Sequence, residues 1–270
     1  MDTLEVKEMV LQPGRPKVVV PIVGTVPDEI VEECEKVKTL PCDIIEWRAD
    51  YYLAAKENLD EQLKEKEIYF ELVKILDDIN YIAGSMPVIF TLRRKGQGGE
   101  VQITKEQYNS IWSLVAQSKL ADIIDVELFD ENGALDEASL IEQINEIHAY
   151  GSKIILSYHD FNSMPTPVEI VNLAKAMGRT GADIYKIAAM AYNKTDAENL
   201  LKATAFLNQN DIGPLVMLAM GEWGKTARVA AGRYGSCMTF ASGKHQSAPG
   251  QVDAHTLKKW LDDYYGEEKA

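Results

Sequence analysis

The 270-residue chain is predicted to be an α/β protein: a (β/α)8 (TIM) barrel over residues 17–270, preceded by a short N-terminal hairpin or arm over residues 1–16. Three observations predict this. From Lys17 onward a short run rich in Val and Ile, a polar turn and a longer stretch with helical spacing follow one another, and the rhythm repeats eight times. Eight strand–helix units in ~250 residues is the length such a barrel requires. The competing architecture, an open doubly wound sheet, wants a glycine-rich fingerprint after its first strand, and Val23-Gly24-Thr25-Val26 is not one.

Taken in order, Thr3 to Val10 alternates weakly and runs into Pro13-Gly14, the pattern of a hairpin or arm that covers the main body. Strands are expected at 17–24, 43–48, 88–93, 122–128, 153–159, 183–188, 214–220 and 236–240. Between them, Ile30, Val31, Cys34 and Val37, and again Tyr108, Ile111, Trp112 and Val115, recur with the spacing of one helix face. Three helices are expected to open on capping boxes, Thr104 with Gln107, Thr166 with Glu169 and Thr195 with Glu198. Pro167 stands at a first helical position, and Gly151 and Gly181 stand where helix-ending glycines belong.

Composition narrows the function. With 46% hydrophobic residues the chain can bury a sizeable core. Its 28 Lys+Arg against 42 Asp+Glu give a formal charge of -14, which argues against nucleic acid or an anionic membrane as partner. An anionic small molecule would therefore need cations gathered locally. The opening Met1-Asp2-Thr3-Leu4-Glu5 lacks the basic and apolar regions of a signal peptide, and no apolar run approaches the ~20 residues of a membrane helix, so a cytoplasmic location is expected. Cys34, Cys42 and Cys237 are odd in number and form no CxxC, which implies neither a disulfide framework nor a zinc knuckle. His148, His159, His245 and His255 never pair at metal-ligand spacing, so no metal site is expected.

Barrels of this kind work at the carboxyl ends of their strands, and those ends are polar in one unit after another. The second ends Glu46-Trp47-Arg48, the third Thr91-Leu92-Arg93; the fourth offers Asp125 and Glu127, and the fifth ends Ser157-Tyr158-His159-Asp160. In the sixth, Ala182-Asp183-Ile184-Tyr185-Lys186-Ile187-Ala188, strand alternation puts Lys186 on one face with Ile184 and Ala188. An amine desolvated there favours its neutral, nucleophilic form; the plainer alternative is a lysine that snorkels to solvent or pairs with an acid such as Asp183. The seventh unit carries Met220 and then Arg228, and the eighth leads into Ser247-Ala248-Pro249-Gly250-Gln251. Gly221-Glu222-Trp223-Gly224-Lys225-Thr226 ends like a phosphate-binding loop, but its first required glycine falls at Ala219.

Five of these segments together, Glu46-Trp47-Arg48-Ala49-Asp50, Phe90-Thr91-Leu92-Arg93, Ser157-Tyr158-His159-Asp160-Phe161, Tyr185-Lys186-Ile187-Ala188 and Ser247-Ala248-Pro249-Gly250-Gln251, resemble the type I 3-dehydroquinate dehydratases of the shikimate pathway in order and spacing. The resemblance implies loss of water from 3-dehydroquinate to give 3-dehydroshikimate through an imine on Lys186, with His159 as general acid and base and no cofactor. It further implies that Arg228, Ser247 and Gln251 bind the substrate carboxylate, that Glu46, Arg48 and Arg93 contact the ring hydroxyls, and that Gln97 and Met220 are supporting or lid positions. A homodimer acting on a small molecule, with neither nucleic acid nor membrane as partner, is expected. One position departs from the pattern: in Lys95-Gly96-Gln97-Gly98-Gly99-Glu100 the family usually has a glutamate, hydrogen-bonded to the histidine, where this chain has Gln97. An amide can still accept the imidazole N–H but cannot stabilise imidazolium by charge; alternatively the loop is a lid and Glu100 or Asp160 orients His159. Two other functions stay open at this point, a low-activity ligand-binding paralogue and a class I aldolase.

Overall fold

The structure, a computed structural model, describes residues 3–244 and 246–266. Two short antiparallel strands, β1 (Leu4–Val6) and β2 (Met9–Leu11), make a hairpin. Eight parallel strands follow: β3 (Lys17–Ile22), β4 (Ile44–Arg48), β5 (Val88–Thr91), β6 (Ile123–Glu127), β7 (Lys153–Asp160), β8 (Ile184–Met190), β9 (Leu215–Met220) and β10 (Met238–Phe240). Their order is β10-β3-β4-β5-β6-β7-β8-β9, and a bridge from Leu215 to Ser236 brings the two ends of the sheet together into a nearly closed barrel. The helices alternate with the strands: α1 (Pro27–Lys38), then α2 (Ala49–Ala54), α3 (Leu59–Glu65) and α4 (Glu67–Ala83) in one connection, then α5 (Lys105–Ser118), α6 (Glu137–Tyr150), α7 (Pro167–Arg179), α8 (Lys194–Gln209), α9 (Gly224–Tyr234) and α10 (Ala254–Tyr265).

Alternation along the strands makes two cores. Outward residues such as Ile45, Trp47, Phe90, Ile124, Leu156 and Ile187 pack under the helices. Inward residues Val19, Ile44, Ile89, Ile123, Ile155, Ile184 and Val216 fill the amino-terminal half of the barrel and meet Val6 and Leu11 of the hairpin. Each such side chain taken fully out of water contributes roughly 1.5–3 kcal/mol. The hairpin is pinned there by Lys7, whose ammonium donates to the carbonyls of Gly84 and Met86 and pairs with Asp122 at 3.0 Å.

The capping boxes at Thr104 and Thr166 form as the sequence predicts. The third does not: α8 starts at Lys194, with the Asn193 side chain accepting the Asp196 N–H at 3.0 Å, and Thr195 lies inside the helix. The earlier start wins because Asp196 reciprocates, its carboxylate accepting the Tyr192 N–H at 2.9 Å. β5 stops at Thr91, two residues before the expected end, because the Arg93 N–H turns to the Asp50 carboxylate at 3.5 Å instead of a neighbouring strand.

Candidate active site

A cavity opens at the carboxyl ends of the strands. All ten residues singled out in the sequence line it: Glu46, Arg48, Arg93, Gln97, His159, Lys186, Met220, Arg228, Ser247 and Gln251. Barrel geometry explains this convergence, since inward positions of different strands meet however far apart they lie in the chain.

Lys186 on β8 is buried at 4% exposure, and its surroundings differ from the sequence expectation. Asp183 is not its partner; that carboxylate pairs with His148 at 2.6 Å and Lys153 at 3.5 Å. The ammonium instead meets Asp125 of β6 at 2.9 Å and Glu46 of β4 at 3.8 Å, and lies 4.4 Å from the centre of the Phe240 ring on β10. Glu46, Asp125, Lys186 and Phe240 come from alternate strands, the arrangement by which a barrel builds one interior layer.

The two arginines expected to reach ring hydroxyls are already engaged. Arg48 makes a two-pronged pair with Asp50, Nε to Oδ1 at 2.7 Å and Nη2 to Oδ2 at 2.8 Å. Asp50, fully buried, also accepts the N–H of Glu100 at 3.0 Å, so one carboxylate ties Arg48 to the glycine loop. Arg93 donates from Nη1 to the Ser157 hydroxyl at 2.7 Å and places Nη2 2.8 Å from Asp125. Beside it Arg94 is taken by Glu127 at 2.7 Å.

Arg228 on α9 is different. It is 2% exposed, and no carboxylate among the described residues pairs with it. Nη2 donates to the Pro249 carbonyl at 3.2 Å, Nη1 to the Phe240 carbonyl at 3.5 Å, and Nε has no partner among the described residues. Burial alone draws its pKa down to about 10, which still leaves it charged at neutral pH. The loop above it is folded on itself through Gln251, whose Oε1 accepts the Ser247 N–H at 2.8 Å and whose Nε2 donates to the Ser247 hydroxyl at 3.1 Å. Gly250 makes that turn possible, since its φ of +76 is left-handed and a Cβ there would stand 2.3 Å from the Gly221 carbonyl oxygen.

His159, at the end of β7, is part-exposed along the cavity wall, but its Nδ1 is enclosed and has no partner among the described residues. Burial, then the positive charges of Arg93, Lys186 and Arg48, push its pKa well below the ordinary histidine value, so the imidazole is neutral at pH 7. Gln97 does reach His159, though not its ring: Oε1 accepts the backbone N–H at 2.8 Å. Of the alternatives for orienting the ring, the Asp160 carboxylate is taken by Asn162 and Ser163. In the phosphate-loop look-alike, Lys225 pairs with exposed Glu222 at 2.7 Å and faces away from this cavity's lining. His245 lies outside the described residues.

The residues to which sequence reasoning gave no role are Asp50, Asp125, Phe161 and Phe240. Three of them had a signal: Asp50 and Phe161 each close one of the segments that carry the resemblance, and Asp125 shares the inward face of β6 with Glu127.

Comparison with known proteins agrees along the whole chain. Residues 18–268 match the model of the type I 3-dehydroquinase family. A 3-dehydroquinate dehydratase of Listeria welshimeri is 35% identical over 265 residues, covering 97% of this chain and 98% of the relative, and one of Clostridioides difficile is 35% identical over 261 residues, covering 96% of each. Among solved structures, a type I 3-dehydroquinate dehydratase of Clostridium difficile carrying covalently modified comenic acid superposes with a TM-score of 0.87 at 32% identity, covering 98% of both chains. The 3-dehydroquinate dehydratase of Enterococcus faecalis gives 0.83 at 30% identity, covering 97% of this chain and 99% of that one.

Proposed function

The chain belongs to the type I 3-dehydroquinase family, and from that premise we propose that it removes water from 3-dehydroquinate through an imine on Lys186. The overall activity is that of its family, a hydro-lyase step of the shikimate pathway giving 3-dehydroshikimate. The observation that carries the mechanistic reading is the convergence of an amine, a neutral imidazole and an unpaired guanidinium on one cavity.

Arg228 binds the substrate carboxylate. Arg48, Arg93, Arg94 and Lys186 all have carboxylate partners, whereas Arg228 is a buried charge that an anionic substrate would neutralise. Ser247 and Gln251 close over that carboxylate, and Glu46 with the pinned Arg48 and Arg93 orients the ring. The Lys186 ammonium first gives up a proton, and the nitrogen lone pair then forms a bond to the ketone carbon; the ketone oxygen leaves as water, and the product is an iminium. That cation draws electrons from the neighbouring C–H bond. His159 takes the proton, the electron pair of the C–H bond becomes the enamine double bond, and the enamine expels the hydroxyl one carbon further on, which leaves as water with a proton from His159. Hydrolysis of the iminium releases the conjugated enone and regenerates the amine. A neutral histidine is in the form this sequence needs.

The test is borohydride reduction in the presence of 3-dehydroquinate, alongside ultraviolet detection of the enone. The expected result is turnover and a secondary-amine adduct whose mass maps to Lys186. An unmodified chain, or an adduct on another lysine, overturns the mechanism; an adduct without turnover would favour the ligand-binding reading. We further propose a cytoplasmic homodimer, for which sedimentation should give about twice the chain mass of 30.1 kDa. No helix among the described residues is long and apolar enough to cross a membrane.

A further inference from the structure

The Schiff-base reading gives Lys186 its chemistry but leaves open what balances the charge on its nitrogen. Condensation of an ammonium with a ketone yields an iminium and one water, so the nitrogen carries one positive charge before and after. In a buried layer that charge needs a lasting partner.

Among the described residues two carboxylates are within reach, and the geometry separates them. Glu46 lines the cavity, stands 3.8 Å from the nitrogen and is held by the Thr91 hydroxyl at 2.8 Å, so it faces the substrate. Asp125 is fully buried, does not line the cavity and stands 2.9 Å from the nitrogen, set back from the residues that do line it. Its other oxygen, Oδ1, accepts the Ser157 hydroxyl at 2.6 Å and faces Arg93 Nη2 at 2.8 Å. Ser157 sits on β7 between the strands of Asp125 and Lys186, in register with Lys186 itself. The carboxylate is thus fixed by two donors while Oδ2 is reserved for the amine.

We propose that Asp125 is the standing counter-ion of the Lys186 nitrogen, pairing with its ammonium in the empty enzyme and with the iminium once substrate is attached. This rests on the Schiff-base reading. Burial alone would push the Asp125 carboxyl up, but Arg93, Lys186 and the Ser157 hydroxyl outweigh it and hold the group below the ordinary carboxylate range, so it stays ionised. A partner placed behind the nitrogen needs no rearrangement as substrate enters and product leaves, which is the requirement for electrostatic stabilisation without reorganisation.

Asp125→Asn tests this directly. The amide keeps the shape and can accept from Ser157 and Arg93, but it presents a donor to the nitrogen and removes the charge. The expected result is a fall in kcat of roughly a hundredfold, KM within about threefold of wild type, and a roughly tenfold smaller fraction of chain trapped by borohydride with 3-dehydroquinate. Wild-type kcat and trapping in the variant overturn the proposal, as does a rise in KM that matches the fall in kcat, which would mark a loosened site. Should Asp125→Asn fail to fold, Ser157→Ala decides: removing one donor from Oδ1 is expected to lower kcat severalfold, with a smaller rise in KM from the acceptor that Arg93 also loses, and an unchanged kcat overturns the assignment. If wild type itself yields no adduct, the Schiff-base reading has failed first, and that outcome is distinct from a wild-type adduct that Asp125→Asn leaves intact.

Discussion

At the scale of single residues, the site is sorted by which charges already have partners. Arg48 and Arg93 are held by Asp50, Asp125 and Ser157, while Arg228 meets only carbonyl oxygens. Arg228→Ala is therefore expected to weaken substrate binding by about 2–4 kcal/mol, seen in KM or in ligand affinity, because a desolvated charge pair is lost. Lys225→Ala, three residues away and paired with exposed Glu222, should change little; equal effects would misplace the carboxylate site. Gln97 poses a sharper question, since it touches the backbone of His159 and leaves Nδ1 unpartnered. His159 accepts a proton only while neutral, and its pKa is depressed by burial and by the neighbouring cations, so any acidic limb it controls lies below the ordinary histidine value. Gln97→Glu keeps an oxygen for the backbone N–H and adds a negative charge where three cations now disfavour the imidazolium. The acidic limb of kcat/KM against pH should consequently move up toward the ordinary histidine value. A limb that stays in place would show that another group sets it. Stability carries the same sign: between the depressed pKa and about 6.5 the unfolded chain binds the extra proton, so His159 favours folding more as pH rises through that window.

At the scale of elements, the loops rather than the strands determine how the site closes. The 247–251 loop is self-braced by Gln251 and anchored on Arg228, and it can approach the turn at Gly221 only because residue 250 has no Cβ. Gly250→Ala meets both a left-handed backbone and a 2.3 Å approach, a strain on the order of 1–3 kcal/mol. We expect a lower melting temperature together with a KM raised about tenfold, as the loop lifts from the carboxylate site. A melting temperature that falls at unchanged KM would mean the loop has no part in binding. Element placement was largely legible beforehand, because period and caps are local: Tyr108, Ile111, Trp112 and Val115 are all buried, and Thr104 and Thr166 cap as read. The start of α8 was not legible, for Asn193 with Asp196 and Thr195 with Glu198 are equally good local signals and only the reciprocal bond from Tyr192 separates them.

At the scale of the molecule, a barrel turns a list of strand ends into a ring, which is why residues chosen for their position in the chain converge on one cavity. What the chain could not disclose is the pairing across the ring. Asp125 and Lys186 are 61 positions apart and separated by a whole strand, so their meeting depends on stagger and tilt that no local pattern encodes. The same holds for Asp183, which shares the stretch of Lys186 yet faces His148 on the outside. The hairpin at the far end of the barrel bears on this ring too. Val6 and Leu11 join the inward Val and Ile residues in an apolar plug beneath the charged layer, so among the described residues the vessel opens at the other end, over an oily floor. Reactant, expelled water and product all share that mouth, and a bound ring acts as its own cork. With a ring bound there, a hydrogen lifted onto His159 is expected to pass to the departing oxygen before it exchanges with bulk solvent. The plug thereby favours a closed shuttle, in which an isotope label taken from carbon leaves in the very water that the reaction makes.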